Sequence, residues 1–129
     1  MTMANGDIIR GIYEAFAKGD VPGVLGAMDP NISWTEAAGF PSAGTYIGPM
    51  AVVENVFMKL ATEWDGFAAV PERIVDGGDT VVALGNYSGT YKATGNAMNV
   101  PFAHVYDLED GKIVKFVQHT DTAKVAEVL

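Results

Sequence analysis

The sequence predicts an α+β fold in which helices of the N-terminal half pack on one face of a curved antiparallel sheet. Two patterns support this prediction. Apolar residues recur at three- and four-residue spacing in the first half of the chain, and from Trp64 onward they alternate with polar residues in four successive segments. The chain has 129 residues, of which 49% are hydrophobic and 19% charged, and we expect residues 1–129 to form one domain with a real core.

Three helices are predicted in the first half. The first covers residues 7–18 and begins at a cap formed by Asn5 or Asp7. Asp20 caps a shorter second helix, and Pro49 begins the third. Each helix has an apolar face: Ile8, Ile12 and Phe16 in the first, with Ile9 and Tyr13 beside them, Val21, Val24, Leu25 and Met28 in the second, and Val52, Val53, Val56, Phe57 and Leu60 in the third.

Five strands are predicted, one before the third helix and four after it. They cover residues 32–36, 67–75, 80–92, 98–108 and 112–120. After the first strand, the segment AAGFPSAGTY is a Gly/Pro/Ser loop of the kind that folds over the mouth of a pocket. The last nine residues are expected to form a short helix capped by Asp121, or a docked tail.

The composition argues against several classes of function. A net charge of −8 does not suit binding to nucleic acid or to an anionic membrane surface. The absence of cysteine excludes disulfides, thiolate nucleophiles and cysteine-ligated metals. The N-terminus does not resemble a signal peptide, and no apolar stretch approaches the length of a membrane span, so we expect a cytoplasmic protein.

The chain has two histidines, His104 and His119, one on each side of a turn at Asp110-Gly111. A two-residue loop would place charged side chains among the aromatic ones, and burying an unpaired charge costs several kcal/mol. A three-residue loop with a bulge at Gly111 separates them, so this register is predicted. It places His104 inward and His119 outward, and no histidine metal site is expected. The predicted inward set is Phe102, His104, Tyr106, Leu108, Val114, Phe116, Gln118 and Thr120.

Three segments together resemble one known family. They are YEAFAKGDVPGVLGAMDPNISW, GTYIGPMAVVENVF and FAHVYDLEDGKIVKFVQHTDT. Over nearly its whole length the chain is similar to the nuclear-transport-factor-2-like superfamily, and in particular to its SnoaL-like, ketosteroid isomerase-related branch. This resemblance implies a cystatin-like α+β roll, in which three helices wrap a cone-shaped sheet around an apolar pocket, usually in a homodimer. It implies no single reaction, because the superfamily includes isomerases, cyclases, epoxide hydrolases, dehydratases and non-catalytic binding proteins.

The resemblance also implies roles for individual residues. The general base of the ketosteroid isomerases corresponds to Glu36, and their oxyanion-stabilising acid corresponds to His104. Their tyrosine on the first helix corresponds to Ile12, and Tyr13 lies about 100° further around that helix. The acid of the cyclases and epoxide hydrolases corresponds to Gln118. Glutamine cannot act as a general base, so cyclase or hydrolase activity is less expected than isomerase activity.

A ligand pocket is predicted between the helices and the sheet. Beside Trp34 in a dry pocket, Glu36 would have a raised pKa and could move a proton near neutral pH. The alternatives are that Glu36 is a solvated residue at a loop edge and that His104 is an ordinary core histidine. The residues predicted to line the pocket are Trp34, Tyr46, Tyr87, Phe102, Tyr106, Phe116 and Gln118.

Two classes of function follow from the sequence. One is a cofactor-independent, isomerase-type enzyme that moves a proton next to a carbonyl of a cyclic substrate. The other is a non-catalytic module that binds a small molecule. In both cases we expect a neutral or weakly polar ring of sterol or polyketide-fragment size, because neither Arg10 nor Arg73 is predicted to face the pocket. Apolar Val105 and Val117 on the outer sheet face predict a homodimer.

Overall fold

Residues 3–129 are described by a computed structural model. Its elements follow the predicted order, with helices before the long strands. No helix in these residues is long and apolar enough to cross a membrane. The elements are α1 (Asn5–Ala17), α2 (Val21–Leu25), β1 (Met28–Glu36), β2 (Gly44–Ile47), α3 (Pro49–Val52), a π-helical turn (Val53–Phe57), α4 (Met58–Glu63), β3 (Trp64–Asp76), β4 (Thr80–Tyr91), β5 (Ala97–Glu109), β6 (Lys112–Thr120) and α5 (Thr122–Ala126).

The six strands form one curved, open sheet in the order β2-β1-β6-β5-β4-β3. The predicted α+β class is confirmed, but the sheet is mixed rather than wholly antiparallel, because β1 runs parallel to β6. This pairing joins the first long strand to the last one and brings Trp34 beside Phe116. The inner face of the sheet therefore collects side chains from both ends of the chain.

The helices cover the inner face of the sheet, and α1 packs against β3 and β4. The most deeply buried side chains of α1 are Ile9, Ile12 and Tyr13, whereas Ile8 and Phe16 of the predicted stripe are only partly buried. The spacing of Ile9, Ile12, Tyr13 and Phe16 is that of a broad apolar helix face. Ile9 and Tyr13, which were predicted to lie beside the stripe, are therefore at its centre.

Two bounds near β1 differ from the prediction. The helix α2 ends at Leu25, and Met28 already belongs to β1, where it pairs with Ile113. The strand tolerates Pro30 because its register is irregular between Met28 and Ser33. The expected cap is present, since the Asp20 carboxylate accepts a hydrogen bond from the Gly23 amide.

The segment predicted to be a single loop contains a short strand, β2. Its residues pair with the end of β1, and Tyr46 lies opposite Trp34. Glycine at both flanks concealed this strand, because glycine and serine are typical of turns. The remaining loop, residues 37–43, packs inward over the sheet with Phe40 and Ser42 buried.

The turn between β5 and β6 also differs from the prediction. Asp110 and Gly111 both have positive φ, 50° and 75°, as a two-residue type I′ turn requires. Glu109 accordingly pairs with Lys112. The predicted three-residue loop is therefore wrong.

A bulge further along this hairpin restores the predicted faces. Leu108 pairs with Ile113, but Asp107 pairs with Lys115, so Val114 is the extra residue. Ile113 is buried where Val114 was expected. Beyond the bulge, the same residues face the interior as were predicted to do so.

His104 accordingly faces the interior and His119 is exposed, as predicted. The last predicted helix is confirmed as α5. It begins at Asp121, whose carboxylate accepts a hydrogen bond from the Lys124 amide.

Candidate functional site

A small cavity of about 50 Å³ lies between α1, the π-helical turn and the inner face of the sheet. Its walls are mostly apolar and aromatic, with Trp34 and Phe116 stacked at a centroid separation of 3.7 Å. Five elements contribute the polar side chains that line it. These are Tyr13 from α1, Glu36 from the last position of β1, Tyr87 from β4, His104 and Tyr106 from β5, and Gln118 from β6. An apolar enclosure with a few convergent polar groups is the usual form of a small-molecule site.

Glu36 is a buried carboxyl group with no cationic partner among the described residues. Only 5% of it is exposed. Its two oxygens accept hydrogen bonds from the Ser42 hydroxyl at 2.9 Å and from the Trp34 indole N–H at 3.2 Å. Burial raises the pKa of Glu36 to about 7, although the bonds from Ser42 and Trp34 act in the opposite direction. Near neutral pH this group can therefore both take up and release a proton.

His104 lies between two tyrosine hydroxyl groups. Its Nδ1 is 2.6 Å from the Tyr13 hydroxyl oxygen, and its Nε2 makes a hydrogen bond with the Tyr87 hydroxyl. Burial, with a smaller contribution from the charge of His119, lowers the pKa of His104 to about 3. The imidazole is therefore neutral at neutral pH.

This environment corrects the role predicted for His104. A direct hydrogen-bond donor to a ligand must have a ring N–H that faces the cavity without another partner. Both ring nitrogens of His104 already have tyrosine partners. His104 is therefore available to orient these tyrosines and not to contact a ligand oxygen itself.

Tyr13 is a site residue to which no role was predicted, because it lies about 100° around the helix from Ile12, the position that corresponds to the family's tyrosine. Its ring stacks on that of His104 with an interplanar angle of 9°, and its hydroxyl accepts a hydrogen bond from Tyr106 at 2.9 Å. Ile12, the position that corresponds to the family's tyrosine, is also buried and lines the cavity. Adjacent residues can share a wide buried helix face, and the spacing of Ile9, Tyr13 and Phe16 was the signal that could have identified Tyr13.

Gln118 joins two parts of the site. Its side-chain oxygen accepts a hydrogen bond from the Ala37 amide at 2.9 Å, and its nitrogen donates to the Tyr87 hydroxyl at 2.9 Å. It therefore links Tyr87 to the residue that follows Glu36. The side chain at this position of the cavity wall is a neutral amide and not a carboxylate.

Two predicted pocket residues do not line the cavity. Phe102 is buried behind His104 and stacks on its ring at 4.0 Å. Tyr46 lies on β2, and its hydroxyl donates to the Ser42 carbonyl oxygen, so it supports the loop that holds Ser42. Both were predicted to line the ligand pocket, but alternation along a strand could not show that other side chains lie between them and the cavity.

A second cavity of about 270 Å³ adjoins the first. It opens between α2, α4 and the start of β3, and we call it the vestibule. Five side chains line both cavities: Phe16, Val24, Phe57, Leu60 and Phe67. The rings of Phe16 and Phe57 lie 5.9 Å apart and those of Phe16 and Phe67 lie 6.4 Å apart, so aromatic side chains separate the two spaces.

Charged groups and metal ligands are sparse around this site. Arg10 and Arg73 are exposed and line neither cavity, as predicted. Within residues 3–129 there is no group of three or more histidine, aspartate or glutamate side chains that could hold a metal ion. The chemistry available to the cavity is therefore that of one carboxyl group, one neutral imidazole, three phenols and one amide.

An open sheet wrapped by helices around an apolar pocket with buried polar groups defines a class of small-ligand pocket proteins. The chain belongs to the SnoaL-like domain family, whose pattern matches residues 9–116, within the NTF2-like superfamily. This confirms the resemblance found in the sequence. No curated protein matches the sequence.

Solved structures with the same fold include close relatives. An NTF2-like protein from Burkholderia thailandensis is 42% identical, with a TM-score of 0.96 and 98% of each chain covered. An NTF2-like protein of unknown function from Burkholderia pseudomallei is 31% identical, with a TM-score of 0.89 and 98% of each chain covered. TerC, co-crystallised with polyporic acid, is 26% identical, with a TM-score of 0.87 and 96% of each chain covered.

Proposed function

We propose that this protein catalyses cofactor-independent proton transfer next to the carbonyl group of a small cyclic ketone. The observation that carries the proposal is Glu36, a buried carboxyl group whose pKa of about 7 suits a general base at neutral pH. In its ionised form it takes a proton from the carbon next to the carbonyl group. In its protonated form it returns that proton to another carbon of the resulting enolate.

The surroundings of Glu36 support this role. Ser42 and Trp34 occupy one hydrogen-bonding position on each carboxyl oxygen and so fix the orientation of the group. The apolar walls exclude water, which strengthens electrostatic interactions inside the cavity and protects a basic intermediate from bulk solvent. Three neighbouring phenols stay protonated, because burial raises the pKa values of Tyr13, Tyr87 and Tyr106.

The volume of the inner cavity limits the part of a substrate that reaches Glu36. An apolar cavity of about 150 Å³ holds a benzene molecule, and the inner cavity is about a third of that size. A sterol-sized molecule does not fit there. We propose that only the carbonyl edge of the substrate enters, and that the rest of the ring occupies the vestibule or displaces the aromatic side chains between the two spaces.

The test is the conversion of cyclohex-3-enone into cyclohex-2-enone, in which a proton moves from the carbon next to the carbonyl to the far end of the double bond. The conjugated product is followed by its ultraviolet absorbance. We expect turnover by the wild-type protein and a loss of about 100- to 10,000-fold in Glu36→Gln, which keeps the shape of the side chain. Glu54→Gln, which removes the same charge from an exposed helix position, is the matched control and should keep full activity. Equal activity in both variants would contradict the proposal.

A second candidate is a non-catalytic module that binds a small molecule. The observation that favours it is that the polar atoms of His104 and Gln118, although both side chains line the cavity, are hydrogen-bonded to other residues of the protein. TerC has the same fold and was co-crystallised with a small organic molecule. Ketone binding by the wild-type protein, with no proton transfer even in overnight exchange in D2O, would favour this candidate.

We also propose that the protein forms a homodimer through the outer face of the sheet. Val75, Val82, Val105 and Val117 lie in one register row across β3 to β6 and form a continuous apolar stripe. Contact with a second copy would remove this stripe from water.

A further inference from the structure

The hydrogen bonds around His104 point to a specific partner for the substrate oxygen. We propose that the Tyr87 hydroxyl donates the hydrogen bond that holds this oxygen, and that His104 and Gln118 are positioning residues that orient Tyr87. This inference rests on the proposed function, because it concerns the oxyanion that forms when Glu36 removes a proton.

The orientation of the Gln118 amide is set by its neighbours. The Ala37 backbone N–H can only donate, so the Gln118 atom 2.9 Å from it is the oxygen. The other end of the amide is then the NH2 group, which donates to the Tyr87 hydroxyl at 2.9 Å. One of the two lone pairs of this hydroxyl is therefore occupied by Gln118.

The protons of the tyrosine–histidine chain can be counted in the same way. A neutral imidazole has one N–H and one acceptor nitrogen, so only one of its two tyrosine contacts can receive a proton from the ring. Tyr106 donates to Tyr13, so Tyr13 can in turn donate to Nδ1 of His104. The ring proton then lies on Nε2 and is donated to Tyr87. In this arrangement both lone pairs of Tyr87 are filled, and its own proton has no hydrogen-bond partner among residues 3–129.

The opposite tautomer of His104 would instead leave the proton of Tyr13 without a partner. The position of Glu36 favours the first arrangement. Gln118, which donates to the Tyr87 hydroxyl, also accepts from the amide of Ala37, the residue after Glu36, so Tyr87 is linked to the end of β1 that carries the carboxyl group. The Tyr13 hydroxyl is instead hydrogen-bonded to His104 and Tyr106. A carboxylate attracts the positive end of an O–H dipole, so the charge of Glu36 favours a free proton on Tyr87. The free donor is thereby placed on the side of the cavity where the base acts.

Carbon-13 NMR of bound cyclohex-2-enone, labelled at its carbonyl carbon, tests this assignment. The experiment uses the Glu36→Gln protein so that no chemistry occurs during the measurement. We expect a downfield shift of the bound carbonyl signal, because a donated hydrogen bond withdraws electron density from it. Adding Tyr87→Phe should abolish this shift while the ketone still binds. Adding Tyr13→Phe should leave it in place, and Tyr91→Phe, which removes a hydroxyl outside both cavities, is the control.

The kinetic variants separate the two proposals. Tyr87→Phe should lose about 100- to 1,000-fold in kcat with little change in KM, as for the loss of one oxyanion donor.

If Glu36→Gln abolishes turnover but Tyr87→Phe keeps both the rate and the carbonyl shift, the donor assignment fails and the proposed function survives. If no turnover occurs but the shift still depends on Tyr87, the proposed function fails and the assignment survives. Failure of the ketone to bind the Glu36→Gln protein, or loss of the shift in Tyr13→Phe, would overturn the assignment. The Tyr13→Phe result decides the question even if Tyr87→Phe does not fold.

Discussion

Glu36 and His104 share one cavity, and burial moves their pKa values in opposite directions. Both changes favour the neutral form, since desolvation penalises a charge of either sign. For Glu36 the pKa rises from 4.5 to about 7, and for His104 it falls from 6.5 to about 3. The two residues therefore affect the free energy of unfolding in opposite ways as the pH changes.

The first prediction concerns this pH dependence. As the pH rises from 4.5 to 7, Glu36 ionises first in the unfolded chain, so its contribution to stability falls by about 3 kcal/mol. As the pH falls below 6.5, His104 takes up a proton first in the unfolded chain, so its contribution falls instead. Between pH 4.5 and 6.5 the changes that these two residues cause in the free energy of unfolding have opposite signs and should nearly cancel.

Urea unfolding of the wild-type and Glu36→Gln proteins at pH 4.5, 6.5 and 8 measures this effect. Subtracting the two stabilities removes the contribution of every other titrating group. We expect the variant to gain about 3 kcal/mol relative to the wild type between pH 4.5 and 8. A difference that does not change with pH would show that the Glu36 carboxyl is not buried as described.

The second prediction separates the two histidines. His104→Ala would leave a void on the inner face and remove the partner of both Tyr13 and Tyr87, so we expect a loss of about 3 kcal/mol in stability. His119→Ala removes an exposed side chain and should change stability by less than about 0.5 kcal/mol. Thermal or urea unfolding compares them, and a larger effect of His119→Ala would contradict the inward orientation of His104.

Among the secondary-structure elements, the segment from Pro49 to Glu63 bears most directly on access to the site. Its π-helical turn, Val53–Phe57, ends at the phenylalanine that separates the inner cavity from the vestibule. Such turns interrupt the regular helical hydrogen bonds and often occur at functional sites. Phe57 also packs edge-on against Trp34 at a centroid separation of 5.7 Å. The turn therefore connects the wall of the inner cavity to its entrance.

The third prediction follows from this position. Phe57→Ala should join the two cavities, so larger cyclic ketones should bind more tightly than they do to the wild type. The same change should lower stability by about 3 kcal/mol, since it removes a large packed side chain. Calorimetric titration with ketones of increasing ring size measures the effect. Unchanged selectivity for ring size in a folded Phe57→Ala protein would show that Phe57 does not limit access.

The sequence predicted the long strands and the inward side chain of His104, because alternation along a strand is a local property. For Glu36, a position at the pocket and a solvated position at a loop edge both stayed open. It did not predict β2, whose glycine-flanked residues form a strand only when the end of β1 is available for pairing. The bulge at Val114 and the partners of His104 depend on contacts between distant segments. The role of Tyr13 was missed because a one-residue difference in helical position was taken to exclude it, although a buried helix face is wide enough to include both positions.

At the scale of the whole molecule, the two faces of the sheet differ in what covers them. The inner face is buried by helices, whereas the valine stripe on the outer face has no covering element among the described residues.

The fourth prediction tests the proposed homodimer. Val105→Glu places a charge in the middle of this stripe and should convert a dimer into a monomer in light scattering at micromolar concentration. Met58→Glu adds the same charge on the helical side and should leave the dimer intact. A monomeric wild-type protein would contradict the proposal.

The most direct test of the account is an NMR titration of the Glu36 side-chain carboxyl carbon in protein labelled with carbon-13 at glutamate. The signal is assigned by its absence from Glu36→Gln. We expect Glu36 to titrate with a pKa of about 7, well above the ordinary glutamate value of 4.5. A pKa near the ordinary 4.5 would contradict it, because a carboxyl group that is fully ionised at neutral pH and solvated is neither buried in the cavity nor suited to return a proton to the substrate.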